Sequence, residues 1–378
     1  MAKKRILFLT GFMPGGGAEK VLIDILRHFD FTQYEVDLAL FVKKGILLND
    51  VPEEVNVIEL WGNNSLNHFL SIKASLYLHN NFLLSRTMNG KKLRKDYDTE
   101  IAFLEGMPVK LLSMRNTKAP KYCWIHTDLS HFHNTKSAFY NEKEEKAVYS
   151  NMDSVICVSE FCKNGFTSCF PSLAGKTSLI YNPIDIDTIK KSAEAQSIKL
   201  RNTYNRTNII TVSRLNKEKN PLRLIETALL AKKEGINLKF HLVGEGPLET
   251  LLKDEIKSKE LGEYFDFYGF QKNPYPLIAQ SDIMVLPSDA EGFGLVLCEA
   301  MCLGVPVIST PTAGPKEILA NNNFGLLTDF TPQSILDAIK KLISDKELKE
   351  RLVENGRRRV EDFSIDKMME SFYSLIRH

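Results

Sequence analysis

Disulfides, zinc sites and membrane spans find little support in this chain. Six cysteines in 378 residues are too few for a disulfide scaffold. Cys157 with Cys162, and Cys298 with Cys302, are spaced like possible pairs, but no His or further Cys completes a zinc set, and burial as small hydrophobes accounts for them. Charge of one sign is also missing. The 49 Lys and Arg stand against 47 Asp and Glu, a net charge of +2, which excludes a protein built mainly to coat nucleic acid. No run reaches the roughly eighteen apolar residues that span a bilayer. The opening MAKKRILFLTGF is basic, but its apolar run breaks at Gly11 and Pro14, so it reads as a buried strand and not a secretory signal. The expectation is a cytoplasmic protein with reduced thiols. Neither the G-x-S-x-G elbow nor the G-x-x-x-x-G-K-[ST] phosphate loop occurs, and there is no internal repeat or low-complexity tract.

What is present is the composition of a soluble globular chain, 43% hydrophobic and 25% charged, long enough for two domains. Apolar runs rich in β-branched residues alternate with amphipathic patterns. Strands are expected at 5–10, 35–41, 99–104, 122–126 and 154–158, with a glycine loop and a helix over 18–29 after the first. Residues 185–205 lack apolar periodicity and read as linker and surface helix. The pattern restarts with strands at 208–212, 239–243, 265–268, 283–286 and 305–309. This βα alternation predicts two α/β domains with parallel sheets covered on both faces, residues 1–183 and 184–363. Ligands in such folds bind at the carboxyl ends of the strands, here in a cleft between the halves.

Two segments are ambiguous from spacing alone. In 363–378, Ile365, Met368, Met369, Phe372 and Ile376 fall near helical spacing, so this helix either caps its own domain or crosses back to the first. From Leu66 to Lys95 there is no acidic residue, yet Lys73, Arg86, Lys91, Lys92, Arg94 and Lys95 fall there among many apolar side chains. That stretch reads either as a surface for an anionic membrane or as a core-facing helix followed by a solvated basic turn.

The densest chemistry lies in 287–311, PSDAEGFGLVLCEAMCLGVPVISTP. It reads as strand, tight loop and a helix beginning near Leu295. Gly292 and Gly294 let backbone approach a ligand, with Phe293 between them, and the amides of Gly294, Leu295 and Val296 form an anion site at the helix start. Glu291 precedes the helix, where it can accept hydrogen bonds from hydroxyls. Glu299 lies two turns in, where its two oxygens can bridge a vicinal diol. A diol, a phosphate and a polyhydroxylated ring in one row describe a nucleotide sugar.

At the end of another strand, SRLNKEKN places Arg214 and Lys219 across a βα loop, able to neutralise a diphosphate without a metal. VGEGP closes a third strand with a glycine turn at Gly244. In the first half, Gly15, Gly16 and Gly17 open a helix after the first strand, but Lys20 stands where a dinucleotide fingerprint needs its third glycine, which argues against a dehydrogenase. His126, in WIHTD at another strand end, can bond a sugar hydroxyl or a departing phosphate, or be structural. The DxD-like Asp96-Tyr97-Asp98 precedes a strand, away from the expected cleft, and is discounted as a metal site.

GGGAEKVL, WIHTD, VSRLNKEKN, LVGEGPL and EGFGLVLCEAMCLGVPVIST together resemble the family 4 glycosyltransferases of GT-B fold, most specifically over residues 212–311. The resemblance implies a retaining transferase that moves a sugar from a nucleotide donor, with no cofactor and no bound metal. It implies that Arg214 and Lys219 hold the donor diphosphate, Glu299 the ribose diol and Glu291 the donor sugar. Gly269, Phe270 and Gln271 would hold the base, largely through backbone groups. Gly16 and Gly17 would face the diphosphate from the first domain, with His126 by the sugar, and the final helix would cross back to that domain. Ser213 and Asn220 replace residues that are often glycine in the family, both at turns that leave the Arg and Lys intact. The family pattern further implies a UDP-sugar donor, carrying a hexose or N-acetylhexosamine. Docking of the stretch from Leu66 to Lys95 on an inner membrane leaflet would let a saccharide or lipid-linked saccharide acceptor reach the cleft, in surface polysaccharide, capsule or lipopolysaccharide synthesis. With no clear carboxylate nucleophile, front-face substitution is favoured over double displacement on Glu291.

Three other readings were weighed. A glycosidase using Glu291 and Glu299 needs no phosphate site. A two-lobed sugar or nucleotide binder of periplasmic type carries a signal peptide. A nucleotide-sugar 2-epimerase of the same fold would act on the donor without an acceptor.

Overall fold

The computed structural model describes residues 2–61, 81–131, 133–194, 198–201 and 204–377. The chain forms two compact units, Met1–Pro183 with Ile365–His378, and Ile184–Ser364. Each is built on one wholly parallel sheet.

In the first unit the strands are β1 (Lys4–Thr10), β2 (Tyr34–Leu40), β3 (Asn56–Glu59), β4 (Thr99–Ala102), β5 (Lys121–Ile125), β6 (Ser154–Cys157) and β7 (Thr177–Leu179), ordered β3-β2-β1-β4-β5-β6-β7. The second unit holds β8 (Thr207–Val212), β9 (Leu238–Val243), β10 (Phe265–Phe267), β11 (Ile283–Leu286), β12 (Val307–Ser309) and β13 (Leu326–Leu327), ordered β10-β9-β8-β11-β12-β13. Both sheets reverse direction beside their first strand, between β1 and β4 and between β8 and β11. Crevices at such switch points are where open α/β sheets take ligands. The near-continuous burial of Ile6–Thr10 and of Leu238–Val243 is what a strand covered on both faces requires.

The second unit's core sits under β8, β9, β11 and β12, where Ile209, Phe240, Leu242, Val285 and Ile308 pack against Leu224, Ala228, Leu252, Ile335 and Ile339 from the flanking helices. The first unit closes on the final helix, Ile365–Arg377. Its buried residues Ile365, Met368, Met369, Phe372 and Ile376 repeat at helical spacing, and the Phe372 ring lies 6.1 Å from Phe8, 5.7 Å from Phe29 and 5.7 Å from Trp124. The helix therefore crosses back to the first unit, which spacing alone had left open.

Some expectations need correction. β3, β7 and β13 were not anticipated, because strands of two to four half-buried residues carry too little pattern. The first helix is Gly17–Arg27, ending two residues early; Phe29 instead turns into the aromatic cluster under the final helix. The segment read as linker and surface helix does hold a helix, Ile186–Glu194, but it is tied into the second unit by an Asn273 side chain that donates to the Ser192 carbonyl at 2.8 Å. Residues 66–80 of the basic apolar stretch lie outside the described residues.

Candidate functional site

At the second unit's switch point, the loops after β8 and β11 are stitched together. The Asp289 and Ala290 amides both donate to the Glu218 carbonyl, at 2.7 and 3.3 Å. Asn220 donates to Asp289 at 2.8 Å, while Arg223, buried at the start of the next helix, donates to Asp289 at 2.6 Å and to the Pro287 carbonyl. Asn220 has φ +41°, a left-handed position that Asn tolerates better than most residues, which explains why it can stand where glycine is common. This framework brings Lys219 Nζ to 2.6 Å from Glu291 Oε2, each side chain only 16% exposed. Arg214 is exposed on the same loop and forms no ion pair among the described residues, so its five donors are available.

The helix that follows is Leu295–Cys302. Gly294 is its N-cap, at φ +95° and ψ 46°, with no side-chain cap. Its first turn closes with the Leu297 amide on the Gly294 carbonyl at 2.9 Å, so the amides of Gly294, Leu295 and Val296 stand ahead of it. Glu299 lies on the same helix, 6% exposed, with Tyr275 donating to Oε1 at 3.3 Å. Sequence reasoning missed Gly314, whose amide donates to the Glu291 carbonyl at 3.2 Å; a Cβ there would stand 2.0 Å from the Phe293 carbonyl oxygen. The neighbouring Lys316 and Glu317 give no sign of that contact, so only the glycine itself could have signalled the close approach.

Two further loops singled out in the sequence are held by contacts within the unit. Gly244 has φ +133°, and a Cβ would sit 1.9 Å from the Ser213 carbonyl oxygen. Its glycine is therefore required by the packing of two loops, which the Leu215 amide bonds to the Glu245 carbonyl at 2.9 Å, whatever it offers a ligand. Gln271 turns its amide onto the Tyr268 carbonyl at 2.6 Å, and Phe270 is exposed with its amide on Glu245 Oε1 at 3.2 Å. A cavity of about 710 Å³ lies at the opposite, amino ends of β8 and β11, among residues such as Arg206, Asp282, Lys346 and Glu350. It is remote from this constellation.

In the first unit, the loop after β1 runs through Gly15, at φ +103°, to the N-cap Gly16 and the helix beginning at Gly17, which has no side-chain cap. Gly45, also unnoticed in the sequence, locks this loop: a Cβ there would stand 1.8 Å from the Met13 carbonyl oxygen. After β5, His126 donates from Nε2 to the Phe103 carbonyl at 3.0 Å, because a carbonyl only accepts. Its Nδ1 is buried without a partner among the described residues. Burial pushes the imidazole below its ordinary pKa, against the opposing pull of Glu105. The unpartnered Nδ1 presents an acceptor, which of the two partners expected for His126 suits the sugar hydroxyl. Thr10 Oγ1 in this unit, and Ser288 Oγ and Thr312 Oγ1 in the other, are also buried near the carboxyl ends of strands, without partners among the described residues. Buried polar atoms without partners are rare and call for one.

Asp96 pairs with Arg5, and Asp98 accepts from the Arg5 amide at 2.7 Å, so the DxD-like run is a structural brace. Among the described residues no cluster of three or more His, Cys, Asp or Glu could hold a metal ion, and no helix is long and apolar enough to cross a membrane. In the described part of the basic stretch, Lys92 bonds the Glu59 and Leu60 carbonyls and Arg94 pairs with Glu35, while Arg86, Lys91 and Lys95 are exposed, as is Phe82.

Two units, each on a wholly parallel sheet whose strand order reverses beside its first strand, fit a GT-B α/β architecture. Residues 15–188 match the family model described as Glycosyltransferase Family 4, and residues 192–359 the one described as Glycosyl transferases group 1. The chain belongs to glycosyltransferase family 4. It is 26% identical, over 93% of both chains, to the N-acetylgalactosamine-N,N'-diacetylbacillosaminyl-diphospho-undecaprenol 4-alpha-N-acetylgalactosaminyltransferase of Campylobacter jejuni. An uncharacterized glycosyltransferase of Methanocaldococcus jannaschii is 28% identical, over 61% of this chain and 65% of that protein, just under two thirds of its length. Among solved structures, Anabaena HepE in complex with UDP superposes with a TM-score of 0.75 at 21% identity, covering 98% of this chain and 99% of that one.

Proposed function

We propose that this protein transfers a hexose or N-acetylhexosamine from a UDP-sugar, with retention of configuration and without a metal, to a saccharide or lipid-linked saccharide acceptor. The observation that carries the reading is the pairing of Lys219 with Glu291 beside the uncapped start of the helix Leu295–Cys302, with Arg214 unpaired on the same loop. Arg214 and Lys219 would take the diphosphate and stabilise the charge on the leaving oxygen; Lys219 keeps two donors beyond the one Glu291 occupies. Glu299 would hold the ribose diol. Held in an ion pair, the Glu291 carboxylate is a poor nucleophile, which favours front-face departure, with the leaving phosphate oxygen taking the acceptor's proton. The choice of UDP draws on HepE, which was solved with UDP and with UDP-glucose. The acceptor class draws on two Campylobacter jejuni relatives whose names specify undecaprenol-linked saccharides, the second aligned over 98% of both chains at 23% identity.

The biological setting we propose is surface polysaccharide or glycolipid synthesis at the cytoplasmic face of a membrane, with contact through the segment from Leu66 to Lys95. Exposed Phe82, Arg86, Lys91 and Lys95 suit an anionic interface. Tighter sedimentation with anionic than with neutral liposomes at low salt is expected, and equal sedimentation would remove this part.

The test is a transfer assay with UDP-Glc, UDP-Gal, UDP-GlcNAc and UDP-GalNAc in the presence of EDTA, against undecaprenyl-diphosphate-linked saccharides, with NMR of the new glycosidic bond. An α-linked product from an α-linked donor supports the reading. A β-linked product, a requirement for metal, or altered donor with no transfer would each contradict it.

A further inference from the structure

Resting on that reading, we propose that Glu105 is a positioning residue for sugar transfer. Its carboxylate clamps the residue just past β5, so that His126 offers its Nδ1 lone pair to a hydroxyl of the bound sugar. Glu105 lies just after β4, at the switch point of the first unit's sheet, where Gly106 at φ +79° turns the chain away. Glu105 Oε2 accepts the His126 backbone N–H at 3.0 Å, and Oε1 accepts the Thr127 hydroxyl at 2.7 Å. Both oxygens thus fix two consecutive residues of one strand end.

The carboxylate is 8% exposed and forms no ion pair among the described residues. A buried charge without a counter-ion is costly, and a merely structural clamp would be as well made by a neutral acceptor. What the charge adds is its action on the ring next to it. Glu105 is the one charged group that acts on His126 among the described residues, and the Phe103 ring, 5.0 Å away, is an apolar neighbour. With Nε2–H fixed on the Phe103 carbonyl, the tautomer is set, and the buried unpartnered Nδ1 is an acceptor awaiting a donor. A hydroxyl is a donor of that kind; a phosphate oxygen is not.

The closing experiment compares wild type with Glu105→Gln, which keeps the shape but loses the charge, and with His126→Gln, which keeps a donor for the Phe103 carbonyl but moves its acceptor oxygen away from the Nδ1 position. In the free protein, imidazole ¹⁵N spectra of wild type should show His126 protonated at Nε2 only, the resonance being assigned by its loss in His126→Gln. UDP-glucose or UDP-N-acetylglucosamine should move the Nδ1 resonance, and UDP alone should not. Glu105→Gln should bind UDP as wild type does, since that site lies in the other unit. Its kcat should fall on the order of ten- to a hundredfold, the cost of small misplacements. The acid limb of its kcat profile should move to lower pH, because removing Glu105's charge lowers the His126 pKa further.

An Nδ1-protonated ring in wild type, an acid limb that stays or moves upward in Glu105→Gln, or a loss of melting temperature at unchanged kcat would each overturn the inference. If Glu105→Gln does not fold, Thr127→Val removes one of the two clamps while retaining the charge; it should lower kcat without moving the limb, and unchanged kcat would count against the clamp. Because the ¹⁵N tautomer is read without substrate, failure here is separable from failure of the glycosyltransferase reading, in which wild type would bind no UDP.

Discussion

Each unit buries a histidine beside its sheet, and the two differ in one respect. His241, within β9, uses both ring nitrogens: Nε2 donates to Asn208 Oδ1 at 3.1 Å and Nδ1 accepts from the Tyr268 hydroxyl at 3.3 Å. His126, just past β5, uses Nε2 on the Phe103 carbonyl and leaves Nδ1 with no partner among the described residues. Burial depresses both pKa values, that of His241 to about 4. The difference therefore lies in what each ring still has to offer. A fully satisfied buried ring is framework, whereas a half-satisfied one at a strand end is prepared for a ligand.

That contrast can be sharpened from the strongest effect to the weakest. Arg214→Ala should lower kcat/KM by roughly 10²- to 10³-fold, the scale for removing a donor to developing charge, while leaving the melting temperature unchanged, because the side chain is exposed and unpaired. His126→Gln should lower kcat by about tenfold or more with stability nearly intact, measured as turnover per folded molecule. His241→Gln should do the reverse, costing about 1–3 kcal/mol in urea unfolding by leaving buried partners unpaired, with kcat retained. If the two histidine variants behaved alike, the contrast would fail.

The weakest effect is in pH. Folded His241 titrates near 4, against an ordinary value of 6.5, so below 6.5 the unfolded chain takes up a proton that the folded chain refuses. Its contribution to stability is complete above about pH 6.5 and declines as pH falls toward 4. The urea midpoint should drop between pH 7 and pH 5 in wild type and drop less in His241→Gln. An equal drop would assign the slope to other groups.

Much of this was legible in the sequence, for identifiable reasons. The runs at β1, β8, β9 and β11 are continuous and β-branched, and their burial on both faces is what writes such runs. Arg214, Lys219, Glu291 and Glu299 stood out because charge at the end of an apolar run needs a reason. The residues that escaped notice work through partners far along the chain. Arg223 reads as a helix-surface charge, yet it is buried against Asp289, sixty-six positions away. Glu105, which no sequence motif singles out, holds His126 from twenty-one positions away. Gly45 and Gly314 matter only because another loop's carbonyl crosses them. The edges β3, β7 and β13 were too short to carry a period.

The central claim is that the loops after β8 and β11 hold a nucleoside diphosphate without a metal. Calorimetric titration of UDP into wild type and Glu299→Ala in EDTA, each first shown to be folded by its melting curve, tests it most directly. The account predicts one site per chain in wild type and at least a tenfold loss of affinity in the variant, about 1.4 kcal/mol. Equal affinity in the two proteins, or binding that appears only when a divalent metal is added, would contradict it.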